Sequence, residues 1–279
     1  MLIAKDFVML NLPKTGSSFA RTVIKEIYEQ RQSRNNGVLK ALQRLGFKQS
    51  LYCSELILPN IKVTGIEKPA DQHGTFSQIP RNYLNREIVS IVRNPYSRFM
   101  STYEFRAWER YPLIPESLLA KHFPKFPNLS VDDYVRLNEL QVIHGRLGGR
   151  IPNANVGNQT IQFIQMFFRN PLDVLANLTD EYLDSADIFH DIADIHFLRQ
   201  DRLTDDLTLF LEKRGFSAAE VQYVRERERV NVTKPRSPDR ACLWTKPSIA
   251  YVKEKERMIF RILKDRGISY PTPEVIAKG

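Results

Sequence analysis

Cysteine is nearly absent: Cys53 and Cys242 are the only two in 279 residues, too few and too far apart for a disulfide framework or a cysteine-rich zinc site. Redox chemistry is therefore not expected. Long apolar runs are missing as well, since nothing approaches the ~18 residues that a membrane-spanning helix requires. The chain opens with an apolar stretch, Phe7 to Leu12, but without the charged start and small-residue cleavage site of a secretory leader, so a cytoplasmic location is expected. No internal repeat, heptad run or low-complexity tract occurs, which excludes solenoids and coiled coils. The five histidines fall at 73, 122, 144, 190 and 196. They show no zinc-ligand spacing, and no metal is expected.

What is present is ordinary for a globular protein, with 42% hydrophobic and 26% charged residues. At this length one large α/β domain over residues 1–279 is the expectation. The net charge of +9 favours anionic partners, whether nucleotide, acidic glycan, nucleic acid or membrane surface, without choosing among them.

Phe7 to Leu12 is an almost continuous apolar run stopped by Pro13, the pattern of a strand buried on both faces of a parallel sheet. Downstream, Phe19, Val23 and Ile27 recur at helical spacing, predicting a helix that begins at Ser17 or Ser18. A second strand is expected at Ile61 to Ile66 and a third at Ile88 to Val92. The third ends in Arg93-Asn94-Pro95, where Asn94 suits a helix cap and Pro95 the first helical position. The stretch 106–158 is rich in proline, glycine and asparagine and reads as an insertion with one helix near Val131 to Val142. Further helices are expected at Thr160 to Phe168, at Leu203 to Arg214, at Ala218 to Arg229 behind a Ser217 and Glu220 capping box, and at Ile249 to Arg266. A short strand at Ile195 to Leu198 completes an α/β pattern with a central, mainly parallel β-sheet flanked by helices.

Two loops carry chemistry. In Pro13-Lys14-Thr15-Gly16-Ser17-Ser18, a glycine-containing turn feeds a helix N-terminus, where unbonded amides and the positive end of the macrodipole attract phosphate. The lysine precedes the glycine, whereas the P-loop of nucleoside triphosphatases carries it after the second glycine, so a standard kinase loop is disfavoured. By itself the string reads equally as a capped helix start with a surface lysine. Arg93 stands where the third strand ends, the edge at which open α/β sheets collect ligands, and Ser101 follows eight residues later. One cation and one hydroxyl could converge there on a phosphate, or Arg93 could simply close the sheet.

Taken together, Pro13-Lys14-Thr15-Gly16-Ser17-Ser18 and Ile91-Val92-Arg93-Asn94-Pro95-Tyr96-Ser97-Arg98-Phe99-Met100-Ser101 resemble the paired signature of sulfotransferases that use 3′-phosphoadenosine 5′-phosphosulfate (PAPS), in particular the carbohydrate, heparan 2-O-type and bacterial members. The resemblance implies a P-loop-like three-layer fold and PAPS as sulfuryl donor. It makes Lys14, Thr15, Gly16, Ser17 and Ser18 the 5′-phosphosulfate site and Arg93 and Ser101 the 3′-phosphate site. It is strong over Phe7 to Tyr28 and Ile88 to Tyr103. More loosely, Asn231-Val232-Thr233-Lys234-Pro235-Arg236 is similar to the basic loop that closes over the nucleotide, so Lys234 and Arg236 join the candidate cofactor-binding residues. They read equally as part of a solvated charged stretch.

Sulfuryl transfer, like phosphoryl transfer, rests on positioning and charge stabilisation. Lys14 is the candidate to stabilise charge on the departing oxygen. A histidine is suited to take the acceptor proton near neutral pH, and His73, in Asp71-Gln72-His73-Gly74 just after the second expected strand, has the best address. The resemblance supports it, with Glu67 and Asp71 in reserve. The implied acceptor is a hydroxyl of a carbohydrate, glycolipid or small alcohol, with 106–158 shaping the choice and Gln159 near the acceptor. The alternatives are a nucleotide kinase on a related fold and a basic nucleic-acid-binding protein. The cations are spread among 32 acidic residues instead of forming a stripe, so no nucleic-acid partner is expected.

Overall fold

The computed structural model describes residues 1–34, 53–59, 70–147, 149–227 and 243–275. The strand expected at Ile61 to Ile66, the reserve base Glu67, and the basic loop with Lys234 and Arg236 lie outside the described residues. Along the chain come β1 (Leu2–Ala4), β2 (Phe7–Leu10), α1 (Ser17–Arg34), β3 (Cys53–Glu55), β4 (Glu87–Val92), α2 (Pro95–Phe105), α3 (Ala107–Arg110), α4 (Glu116–His122) and α5 (Val131–Leu140). They are followed by α6 (Asn158–Phe167), α7 (Pro171–Ala176), α8 (Asp180–Asp184), α9 (Asp187–Asp191), β5 (His196–Arg199), α10 (Leu203–Glu212), α11 (Ala218–Glu226), α12 (Lys246–Lys255) and α13 (Arg257–Asp265). The chain groups into two compact units, one of Met1–Asn60, Pro69–Arg93 and Asp194–Val232, the other of Ile61–Lys68, Asn94–Ala193 and Thr233–Gly279.

The first unit holds a five-stranded sheet in the order β3-β1-β2-β4-β5. The ladders β2–β4 and β4–β5 are parallel, whereas β1 runs antiparallel to both β2 and β3. The sheet is therefore mixed, not mainly parallel as the sequence suggested. The reversal comes from β1: only Lys5 and Asp6 separate it from β2, and so short a link permits a hairpin but not the crossover a parallel pair needs. Phe7 and Met9 of β2, Val89 and Ile91 of β4 and Leu198 of β5 share one core with Phe19, Val23 and Ile27 of α1 and with Leu207, Phe210 and Val221 of α10 and α11. The alternate residues Val8, Leu10, Ile88 and Val92 are buried too, which is why the strands read as unbroken apolar runs.

The second unit is helical around an aromatic core of Phe99, Trp108, Tyr134, Trp244 and Tyr251. As anticipated, the Asn94 side chain accepts from Tyr96 N and Pro95 opens α2. The 106–158 stretch contains more helix than its composition indicated, and α5 runs on into a π-helix, Gln141–Arg146. The closing helix expected at 249–266 is broken at Glu256 into α12 and α13. The Glu256 carboxylate is fully buried and accepts from the N–H groups of Gln159 (3.2 Å) and Thr160 (2.6 Å) and from the Thr160 hydroxyl (2.7 Å). It thereby caps α6, whose first amides have no carbonyl a turn earlier. Among the described residues, no helix is long and apolar enough to cross a membrane.

Candidate functional site

Because β2, β4 and β5 run the same way, their C-terminal ends share one edge of the sheet. Leu10 pairs with Ser90 and Val92 with Arg199, and the Ser90 hydroxyl donates 2.9 Å to the Leu10 carbonyl. The chain leaves β2 through Asn11 and Leu12 into the turn that starts α1. Within it, Lys14 and Gly16 both take positive φ, 66° and 87°. Glycine suits its place for two reasons: L-residues disfavour that conformation, and an added Cβ would lie 3.0 Å from Leu203 Cδ2. Gly16 is exposed and half-buried Lys14 and Ser18 flank the turn, so a ligand could approach its backbone.

The hydroxyls of Thr15 and Ser17 turn inward, donating to the Leu12 carbonyl at 2.8 and 3.3 Å. Their protons hold the turn together, while half-buried Lys14 and Ser18 flank it. Arg93, the first residue after β4, donates from Nη1 to the Lys14 carbonyl at 3.1 Å. The two loops singled out in the sequence are thus joined by a direct bond. Ser101 is buried on α2 in the second unit.

His73 belongs to the same edge. Its Nδ1 donates to the Asn11 carbonyl at 2.5 Å, three residues before Lys14. The bond fixes the neutral tautomer with its proton on Nδ1, leaving Nε2 as the basic nitrogen, 3.3 Å from Gln72 Nε2. The Asn11 amide donates back to the Gln72 carbonyl at 3.0 Å, and the Asp71 carboxylate accepts from His73 N–H at 2.6 Å. Asp71 thus shapes the loop. Burial pulls the His73 pKa below the usual 6.5, against the Asn11 carbonyl and Asp71, which pull it up. The ring is neutral at pH 7 and able to accept a proton.

One residue at this edge escaped the sequence analysis. Arg199 is the last residue of β5, and Arg93 directly follows β4, so a cation at the end of an apolar strand was the available signal. Its guanidinium bonds Asp201 at 2.6 Å, and its neighbour Gln200 lies against Gly16. Lys14, Arg93 and Arg199 put three cations at this edge, with Arg199 paired to Asp201. Among the described residues, no three His, Cys, Asp or Glu side chains gather in a group that could hold a metal ion. No protein-family model and no curated protein matches the chain.

Proposed function

We propose that this chain is a PAPS-dependent sulfotransferase on a P-loop-like sheet, acting on a hydroxyl of a carbohydrate, glycolipid or small alcohol. The observation that carries the reading is the bond from Arg93 to the Lys14 carbonyl, which joins a glycine turn and a strand-end arginine at one edge of parallel strands. A second support is the tautomer of His73, set by a carbonyl of the same edge.

The turn fits an anionic donor group. Gly16 presents exposed backbone, the turn feeds the N-terminus of an 18-residue helix, the end that attracts anions, and no acidic residue occupies the first turn of that helix. Bound there, PAPS would supply an activated sulfuryl group and a phosphate leaving group. Lys14 stands beside that position, and its ammonium stabilises negative charge more as the charge grows than before, which is the differential that lowers a barrier. Arg93 fixes the backbone of Lys14 and adds a cation. His73 Nε2 takes the proton of the attacking hydroxyl, while Asn11 and Asp71 hold ring and loop.

The direct test is incubation with labelled PAPS and a panel of saccharide, lipid and phenolic acceptors, read by mass spectrometry, beside melting curves with adenosine 3′,5′-bisphosphate or with ATP and magnesium. A labelled acceptor and stabilisation by the bisphosphate are expected. Stabilisation by ATP alone would point to a phosphotransferase instead.

A further inference from the structure

Arg146 closes the π-helix Gln141–Arg146 of the second unit. Its Nε donates to Asn158 Oδ1 at 2.8 Å and its Nη1 to Gln165 Oε1 at 3.4 Å. Both partners are neutral amides on α6. Among the described residues, no carboxylate pairs with this guanidinium, although Arg257, Lys255 and Arg106 of the same unit all have acidic partners. Burial alone pulls its pKa from 12.5 down to about 10. A desolvated cation without a counter-ion is costly, and buried charges are as a rule paired.

The backbone is shaped around this arrangement. In an α-helix, residues five apart diverge by about 140° around the axis. The wider π turn, with Leu147 N bonded to the Val142 carbonyl, brings Gln141 and Arg146 to one side. Asn158 then serves both, accepting from Arg146 and donating to Gln141 Oε1 at 3.4 Å. Asn158, Gln162 and Gln165 recur at i, i+4 and i+7, one face of α6. Arg146, Asn158 and Gln162 each keep part of their surface open. Single π turns are rare and frequent at functional sites.

We infer that Arg146, steadied by Asn158 and Gln165, is the anchor of an oxyanion-binding site in the second unit, one that takes a carboxylate, sulfate or phosphate group. The amides position the planar fork, and the oxyanion supplies the counter-charge that the described residues do not. The site uses none of the residues of the sheet edge and stands whether or not the chain transfers sulfuryl groups.

Phenylglyoxal labelling of arginines in the intact protein, mapped by peptide mass spectrometry, tests it residue by residue. Sulfate, phosphate and glucuronate are compared with chloride at equal ionic strength, and with glucose as a neutral control. Oxyanions at ten times their Kd are expected to slow Arg146 labelling about tenfold, with chloride and glucose without effect. Equal protection by sulfate and glucuronate identifies a site for the oxyanion itself, whereas protection by glucuronate at much lower concentration identifies an acidic saccharide. Arg146 labelled equally fast in every solution, or unlabelled even in chloride, overturns the inference. Protection of Arg93 but not Arg146 overturns it while favouring an anion at the sheet edge. A second measurement follows melting temperature: the part of the sulfate-induced rise that Arg146→Gln removes is assigned to this site, and an undiminished rise in a folded variant contradicts it.

Discussion

His73 donates from Nδ1 to the main-chain carbonyl of Asn11 at 2.5 Å, a bond that ties a loop residue to the end of a buried strand 62 positions earlier. The ring cannot turn without losing it. Its basic nitrogen therefore stays at the edge where Lys14 and Arg93 also lie.

The first prediction concerns pH. Burial lowers the His73 pKa below 6.5, and a general base works when unprotonated. Activity should hold as pH falls through 6.5 and decline only below it, in a kcat/KM profile for the acceptor. His73→Ala should abolish transfer without changing the affinity for adenosine 3′,5′-bisphosphate. An acid limb above 6.5, or transfer surviving in the variant, would remove His73 from the role. The same shift has a stability consequence: the unfolded chain binds the proton more tightly, so this contribution is fully present above pH 6.5 and is lost as pH falls through the folded pKa, which lies below 6.5.

Lys14 separates stability from function. It holds φ of 66°, which costs an L-residue about 1 kcal/mol relative to glycine. Lys14→Gly should leave the urea midpoint unchanged or slightly higher while turnover falls about 10²- to 10³-fold. Unchanged turnover would show that the ammonium takes no part.

At Gly16 the two demands coincide. Gly16→Ala must hold a side chain at φ 87° and meet Leu203 Cδ2 at 3.0 Å. A loss of about 1–2 kcal/mol in urea unfolding is expected, together with weaker nucleotide binding. A variant as stable as the wild type would mean that the turn relaxes freely.

Arg93→Ala should chiefly weaken adenosine 3′,5′-bisphosphate binding in calorimetry, both by removing a cation and by releasing the Lys14 carbonyl. Equal affinity in variant and wild type would place the 3′-phosphate elsewhere.

Glu256 offers a test away from the sheet edge. Burial raises its pKa, against the bonds from Thr160 and Gln159, so the folded state holds this proton more tightly than the unfolded one. The Glu256 contribution is therefore fully present below the ordinary carboxylate value of 4.5 and is lost as pH rises through the folded pKa. Glu256→Ala should cost about 2–3 kcal/mol in denaturant unfolding at acid pH, below the ordinary carboxylate value, and less near neutral pH, because the α6 amides lose their acceptor. A smaller loss at acid pH would mean that water replaces the cap.

Local pattern and turn chemistry were enough to read β2, β4 and β5, the Asn94 cap, the Ser217 and Glu220 capping box and both motif loops, because each is written in neighbouring residues. The hairpin strand β1, the π turn after α5 and the break at Glu256 were not legible. A three-residue strand carries too little periodicity, and the other two depend on side chains that meet residues far along the chain.

The sequence by itself determined the apolar strands, the glycine turn and the residue types available for anion binding. Only the tertiary structure decided which of them meet: parallel pairing of β2 with β4 set Arg93 on Lys14, and the fold of the loop after Asp71 set His73 on Asn11. It also decided that Thr15 and Ser17 turn inward and that Arg146 bonds the amides of Asn158 and Gln165. The reason is physical. Pairing register, burial and hydrogen-bond partners are properties of surfaces brought together by folding, and no short stretch of chain encodes both sides of such a contact.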